Sequence, residues 1–226
     1  MLRAEAREGK HGINLAGQSE IIEAGSKSER LTGMPSQSLQ TWSSARAKLL
    51  DDIKHAHRLI RGTGAGARAA IQQINQAYVL LLSAQFQGFC RDFRSECADF
   101  YVAPVADPGL QHLLLAGLIR GRKIDRGNPN PGNIGSDFGR FIITFWTDIL
   151  VHRAQNPSRK IALEELNDWR NAIAHQDFPT SMLQAGRPAL RLSQVQAWRR
   201  ACEGLAHSFD EVLKSSIQGL TGTSPW

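Results

Sequence analysis

The chain has 226 residues, 42% of them hydrophobic, and a formal net charge of +6, with a pI near 9.6. That length supports one sizeable core rather than two, and the basic balance favours a polyanionic partner without specifying which. The three cysteines and seven histidines are scattered and form no Cys-x-x-Cys; this argues against a disulfide framework or metal centre, and fits reduced, buried thiols in a cytoplasm with no cofactor.

Residues 1–40 are rich in Ser, Gly, Gln, Glu and Lys without a sustained apolar period, so disorder is expected there. No basic start followed by an apolar core marks a secretory signal. Met34 directly precedes the first patterned segment and is the expected biological start, which would make the residues before it a mis-annotated extension. A single domain is expected over 41–218, followed by a frayed tail, 219–226.

From Thr41 to Ile60 the positions Trp42, Ala45, Leu49, Ile53, Ala56 and Ile60 recur every three or four residues, the pattern of an amphipathic helix. Gly62-Thr-Gly-Ala-Gly66 breaks it. With no preceding strand and no following Lys-Ser or Lys-Thr, this glycine run reads as a hinge rather than a phosphate loop. Ala67 to about Phe100 is the longest continuous pattern and the expected spine. Its greasiest part, Tyr78 to Leu82, falls far short of the roughly twenty apolar residues a membrane helix needs. Pro104 and Pro108 end it, and Leu110 to Ile119 are expected to form a short buried helix.

Gly121 to Gly135 is a loop by composition, because glycine, asparagine and proline favour turns. Arg120, Arg122, Lys123 and Arg126 face a single carboxylate, Asp125, which leaves the stretch basic. Ser136 is the expected N-cap of the next helix, where Phe138, Phe141, Ile142, Phe145, Trp146 and Ile149 form an apolar face. Asn156-Pro157-Ser158 supplies a turn and cap before the helix that follows. After Pro179 comes a loop whose end, Pro188 to Leu192, reads as a short extended piece. A last helix from Ser193 buries Val195, Trp198, Cys202, Leu205, Phe209, Val212 and Ile217. No segment alternates as a strand over five or more residues, so the expected fold is an all-α bundle of about six helices with a long central helix.

The most informative stretch is Leu163-Glu-Glu-Leu-Asn-Asp-Trp-Arg-Asn-Ala-Ile-Ala-His175-Gln-Asp-Phe178. On a helix, Ala162, Leu163, Leu166, Trp169 and Ile173 share an apolar side, while Glu164, Asn167, Asp168, Asn171 and His175 fall opposite. Arg170 lies at the margin, where a permanent charge calls for an anion or an acidic partner. Asn171 and His175 are four apart and stack. Arg170, five residues before His175, joins them by curling its stem, by the helix ending near His175, or by meeting a second copy of the chain.

Arginine, asparagine and histidine on a helix commonly make nothing more than a solvated face. Here the whole string Trp169-Arg170-Asn171-Ala172-Ile173-Ala174-His175 resembles the motif of the HEPN superfamily, an Arg commonly followed by Asn, Asp or His, then a few residues, then His. The resemblance implies an α-helical bundle, commonly dimeric. It also implies a metal-independent RNase of the kind found in toxin and antitoxin pairs, phage defence or RNA processing, with Arg170, Asn171 and His175 as catalytic residues. On this reading the loop cations Arg120, Arg122, Lys123 and Arg126 guide RNA phosphates, and RNA, a second copy and an antitoxin or other partner protein are the expected partners. A non-catalytic module binding RNA, nucleotide or protein is the alternative. No Tyr stands two residues after His175, which puts in doubt the partner-catalysed modification that some toxins of the superfamily undergo there.

The chemistry is sufficient on paper. Cleavage without metal needs a base for the 2′-hydroxyl, an acid for the leaving oxygen and positive charge at phosphorus. Imidazole transfers protons near neutral pH, and guanidinium presents a fixed charged fork to phosphate. One histidine cannot readily serve as both acid and base, and a two-fold axis supplies the second.

Overall fold

The computed structural model describes residues 33–141 and 143–226, so the expectations for residues 1–32 and for Ile142 lie outside the described residues. The chain divides into two units, Met1–Met34 and Pro35–Trp226, and every element below belongs to the second. The fold is all-α, and its only strands among the described residues are a two-residue hairpin, β1 (Leu183–Gln184) and β2 (Arg187–Pro188).

Helix α1 (Gln37–Thr41) passes through a π turn at Trp42–Arg46 into α2 (Ala47–Leu59). It begins earlier than the apolar period predicts, because its end is capped from two sides. Ser36 Oγ accepts the Leu39 N–H at 3.1 Å, and the Glu96 carboxylate takes the N–H groups of Gln37 and Ser38 at 2.8 and 2.9 Å.

The spine is α3 (Ala65–Val102), whose Tyr78, Leu82, Phe86, Phe89 and Phe93 are fully buried. It packs against α2, α7 (Asn156–His175) and α8 (Leu192–Thr221). Cys90, Cys97 and Cys202 are free and buried, and burial pushes all three thiols up. No helix among the described residues is long and apolar enough to cross a membrane.

Three local expectations change. Helix α4 (Pro108–Ile119), capped by Asp107 Oδ1 on the Leu110 N–H, is not buried: Leu113 is 68% exposed, and Leu110 and Leu114 are exposed as well. Its apolar residues surround the axis, and only Leu115, Leu118 and Ile119 pack against the core. The Gly121 to Gly135 stretch is only partly loop. Asn130 caps α5 (Pro131–Phe138), with Pro131 in its first turn and the Asn130 carboxamide accepting the Asn133 N–H at 2.8 Å, so Ser136 lies inside that helix. Beyond α8 the chain turns at Gly222 (φ 73) instead of fraying. It returns Trp226 to Phe93 and Phe100, where the indole N–H donates to Asp210 at 3.1 Å.

One buried polar group fixes the loop that matters below. The Asp137 carboxylate accepts the N–H groups of Lys123 and Ile124, each at 2.9 Å. Fully buried Arg94 donates through Nε to the Asp137 carbonyl at 2.9 Å and lies 5.1 Å from the Phe141 ring centroid. Burial lowers Arg94 to about 10, against the opposing pull of the Asp137 charge, so it stays charged at neutral pH.

Candidate active site

Helix α7 carries the site because one side of it is committed to the core. Leu163, Leu166, Trp169 and Ile173 are buried against α3 and α8, and the Trp169 ring lies 6.3 Å from that of Trp198. The helix starts at Asn156 and Pro157, whose upstream turn is held by the buried Asn156 amide donating to the Ile149 carbonyl at 2.6 Å. Its last residue is His175. Gln176 adopts a left-handed conformation (φ 54), and the Asp177 N–H bonds back to the Ala172 carbonyl at 3.1 Å. This reversal closes the helix with its orphan carbonyls partly satisfied and leaves the imidazole exposed at the rim.

Asn171 and His175 line one cleft of about 390 Å³ together with Asp168, Asp177, Ser181 and Met182. Arg170 meets this pair through its neighbour: its Nη1 donates to Asn171 Oδ1 at 3.2 Å. Arg170 is half-buried and forms no ion pair among the described residues, so its charge is compensated only by a neutral amide. No direct Arg170 to His175 bond occurs among the described residues. Asn171 bonds to Arg170 and lines the same cleft as His175.

Asn167 does not sit on the outer side as the helical wheel predicts. It is buried, and its amide nitrogen donates to the Pro129 carbonyl at 3.3 Å and to the Leu163 carbonyl at 2.8 Å. The carbonyl of a loop distant in sequence needed a donor, and α7 supplies it.

That loop reaches the site itself. The Asn128 amide nitrogen donates to Asn171 Oδ1, the same oxygen that Arg170 uses. Gln87 Nε2 donates to the Gly127 carbonyl at 2.9 Å, and Asn133 Nδ2 to the Asn128 carbonyl at 2.9 Å. A Cβ at Gly127 would come within 2.8 Å of Asn133 Nδ2, so a side chain there would disturb this anchor.

The four loop cations fare differently. Arg120, Lys123 and Arg126 are exposed and form no ion pair among the described residues. Arg122 is a latch: its side chain is only 14% exposed, pairs with Asp125 at 2.9 Å and donates to Ser95 Oγ at 2.8 Å. Asp168 and Asp177 are the cleft residues that the sequence reading does not select. Asp168 lies seven residues before His175, a spacing of two turns, whereas Asp177 is brought round only by the reversal at Gln176. No cluster of three or more metal-ligating side chains exists among the described residues.

A family model described as RiboL-PSP-HEPN matches residues 44–215, which take in the loop and all of α7. No curated protein and no solved structure matches the chain.

Proposed function

Because the chain belongs to the RiboL-PSP-HEPN family, we propose that it is a metal-independent endoribonuclease in which Arg170, Asn171 and His175 act on a scissile phosphate. The observation that carries this reading is Arg170, a half-buried guanidinium without a carboxylate partner among the described residues, one amide away from a cleft rimmed by an exposed imidazole. A permanent charge held in that state has binding capacity left for an anion.

In the proposed reaction the 2′-hydroxyl attacks the adjacent phosphorus, the P–O5′ bond breaks, and the products are a 2′,3′-cyclic phosphate and a 5′-hydroxyl. His175 moves a proton at the attacking or leaving oxygen, and Arg170 stabilises the charge that develops on the non-bridging oxygens. A second copy across a two-fold axis supplies the other imidazole. Exposed Arg120, Lys123 and Arg126 offer the flanking phosphates a positive approach, so RNA binding weakens as salt rises. Growth arrest, phage defence or RNA processing would each use such an activity, with or without an antidote protein.

Two carboxylates in the cleft, Asp168 and Asp177, favour a second reading. Negative charge beside the imidazole opposes an incoming phosphate, as in a module that binds RNA, a nucleotide or a partner protein without cutting it. One assay separates the two. Under the enzyme reading the purified protein cleaves single-stranded RNA undiminished in EDTA, leaves cyclic phosphate ends and spares a substrate with 2′-deoxyribose at the cut site. Binding without cleavage, at any salt concentration, selects the module.

A further inference from the structure

Asn128 lies in the loop before α5, outside any motif, yet it is the one side chain beyond α7 that hydrogen-bonds to the Arg170 and Asn171 pair among the described residues. The donors and acceptors in this trio can be assigned from chemistry. A guanidinium only donates, so the Asn171 atom that faces Arg170 Nη1 is the carbonyl oxygen. That oxygen also meets Asn128, so the Asn128 atom there is its amide nitrogen. Both lone pairs of Asn171 Oδ1 are thereby used, one by each donor. The Asn171 amide nitrogen, with two hydrogens and no partner among the described residues, is the atom of that side chain with bonding capacity left, and Asn171 lines a cleft with His175.

The loop does not depend on the Asn128 side chain to stay in place. Its backbone is held by Gln87 on Gly127, by Asn133 on Asn128 itself and by Asn167 on Pro129. The Asn128 amide is therefore spare for a role beyond folding.

We infer that Asn128 is a positioning residue: it fixes the Asn171 amide with its N–H groups toward the cleft, where they donate to a non-bridging phosphate oxygen of the bound RNA strand. The inference rests on the endoribonuclease reading. It also states the chemistry of the group that Asn171 receives, an acceptor such as a phosphate oxygen and not the amino group of a base. Without Asn128 the Asn171 oxygen keeps only the flexible Arg170 side chain as a donor among the described residues, so neither the amide nor the guanidinium fork is held in one orientation.

The test uses the full chain with Asn128→Asp, which keeps the shape but replaces the donor by an acceptor beside Arg170, and with Asn128→Ala. Both should lower kcat on single-stranded RNA by roughly 10- to 100-fold, leave KM within about threefold and leave the thermal midpoint unchanged. In an Asn171→Ala background, Asn128→Ala should add almost nothing, as expected of two residues acting through one contact. Wild-type kcat in both single variants, or a loss that follows a falling midpoint, would overturn the inference. If the wild-type protein itself cleaves nothing, the enzyme reading fails and the geometry is read by NMR instead. The side-chain amide signals of Asn128 and Asn171, assigned by their loss in the alanine variants, should each shift when the other residue is replaced; independence of the two signals would refute the coupling.

Discussion

His175→Ala is expected to reduce RNA cleavage by about 10²- to 10⁴-fold, the range of positioned general acid or base catalysis. Arg170→Ala should cost about 10²- to 10³-fold through lost stabilisation of the phosphorane charge. These should be losses of chemistry rather than of fold. His175 is exposed at the end of α7, and among the described residues the Arg170 side chain bonds only to its neighbour Asn171. His175→Ala should move stability by less than about 0.5 kcal/mol, as for other surface substitutions. Arg170→Lys should not restore activity, because a point charge on a flexible stem cannot hold Asn171 Oδ1 and a phosphate oxygen together as a planar fork does. Single-turnover cleavage rates with matched thermal melts check this, and undiminished cleavage in His175→Ala would remove the imidazole from the mechanism.

Phe209→Ala should destabilise the protein by about 3–5 kcal/mol, the usual cost of removing a large aromatic side chain from a packed core. The Phe209 ring on α8 lies 4.9 Å from Phe145, 5.8 Å from Trp146, 6.0 Å from Phe138, 6.2 Å from Phe86 and 6.5 Å from Phe89. It thus joins α8 to the spine, to α5 and to α6 (Phe145–His152), and its loss leaves a cavity that four elements cannot all close. The thermal midpoint should fall by roughly 10 °C. Leu113→Ala on the exposed side of α4 is the control and should change stability by less than about 0.5 kcal/mol. Denaturant midpoints for the two variants test the contrast; equal, small effects would mean that the aromatic cluster is not the core.

The parts of the molecule legible in the sequence are those governed by local period. Helix α7 could be read because Leu163, Leu166, Trp169 and Ile173 keep one side apolar, and that same period puts Asn171 and His175 one turn apart. The spine and α8 were legible for the same reason. Where the pattern has no direction it places nothing: α4 is apolar all round, and periodicity cannot tell a buried helix from one that leaves Leu113 in solvent. The Asn130-Pro131 pair serves equally as a turn or as a cap and first residue, so α5 was hidden inside a stretch of loop composition. The sequence sets four loop cations against the one carboxylate of Asp125 without showing which of them pairs with it; in the fold it is Arg122, three residues before it. Other features depend on contacts distant in sequence and leave no local trace. Asn167 turns inward for the Pro129 carbonyl, Asn128 finds Asn171 across 43 positions, and Asp177 enters the cleft only because Gln176 reverses the chain.

The central proposal is that two copies of the chain build one cleft holding both imidazoles, and pairing a wild-type chain with an inactive one tests it most directly. Wild-type and His175→Ala chains carrying different tags are unfolded together, refolded, and purified as mixed dimers through both tags in turn. Each mixed dimer retains both copies of Arg170 and a single His175. A shared cleft predicts that it loses nearly all cleavage, because one imidazole cannot readily serve as both acid and base. Mixed dimers that keep half of the wild-type rate, as two independent sites would, or a wild-type monomer that cleaves RNA at full rate, would contradict it.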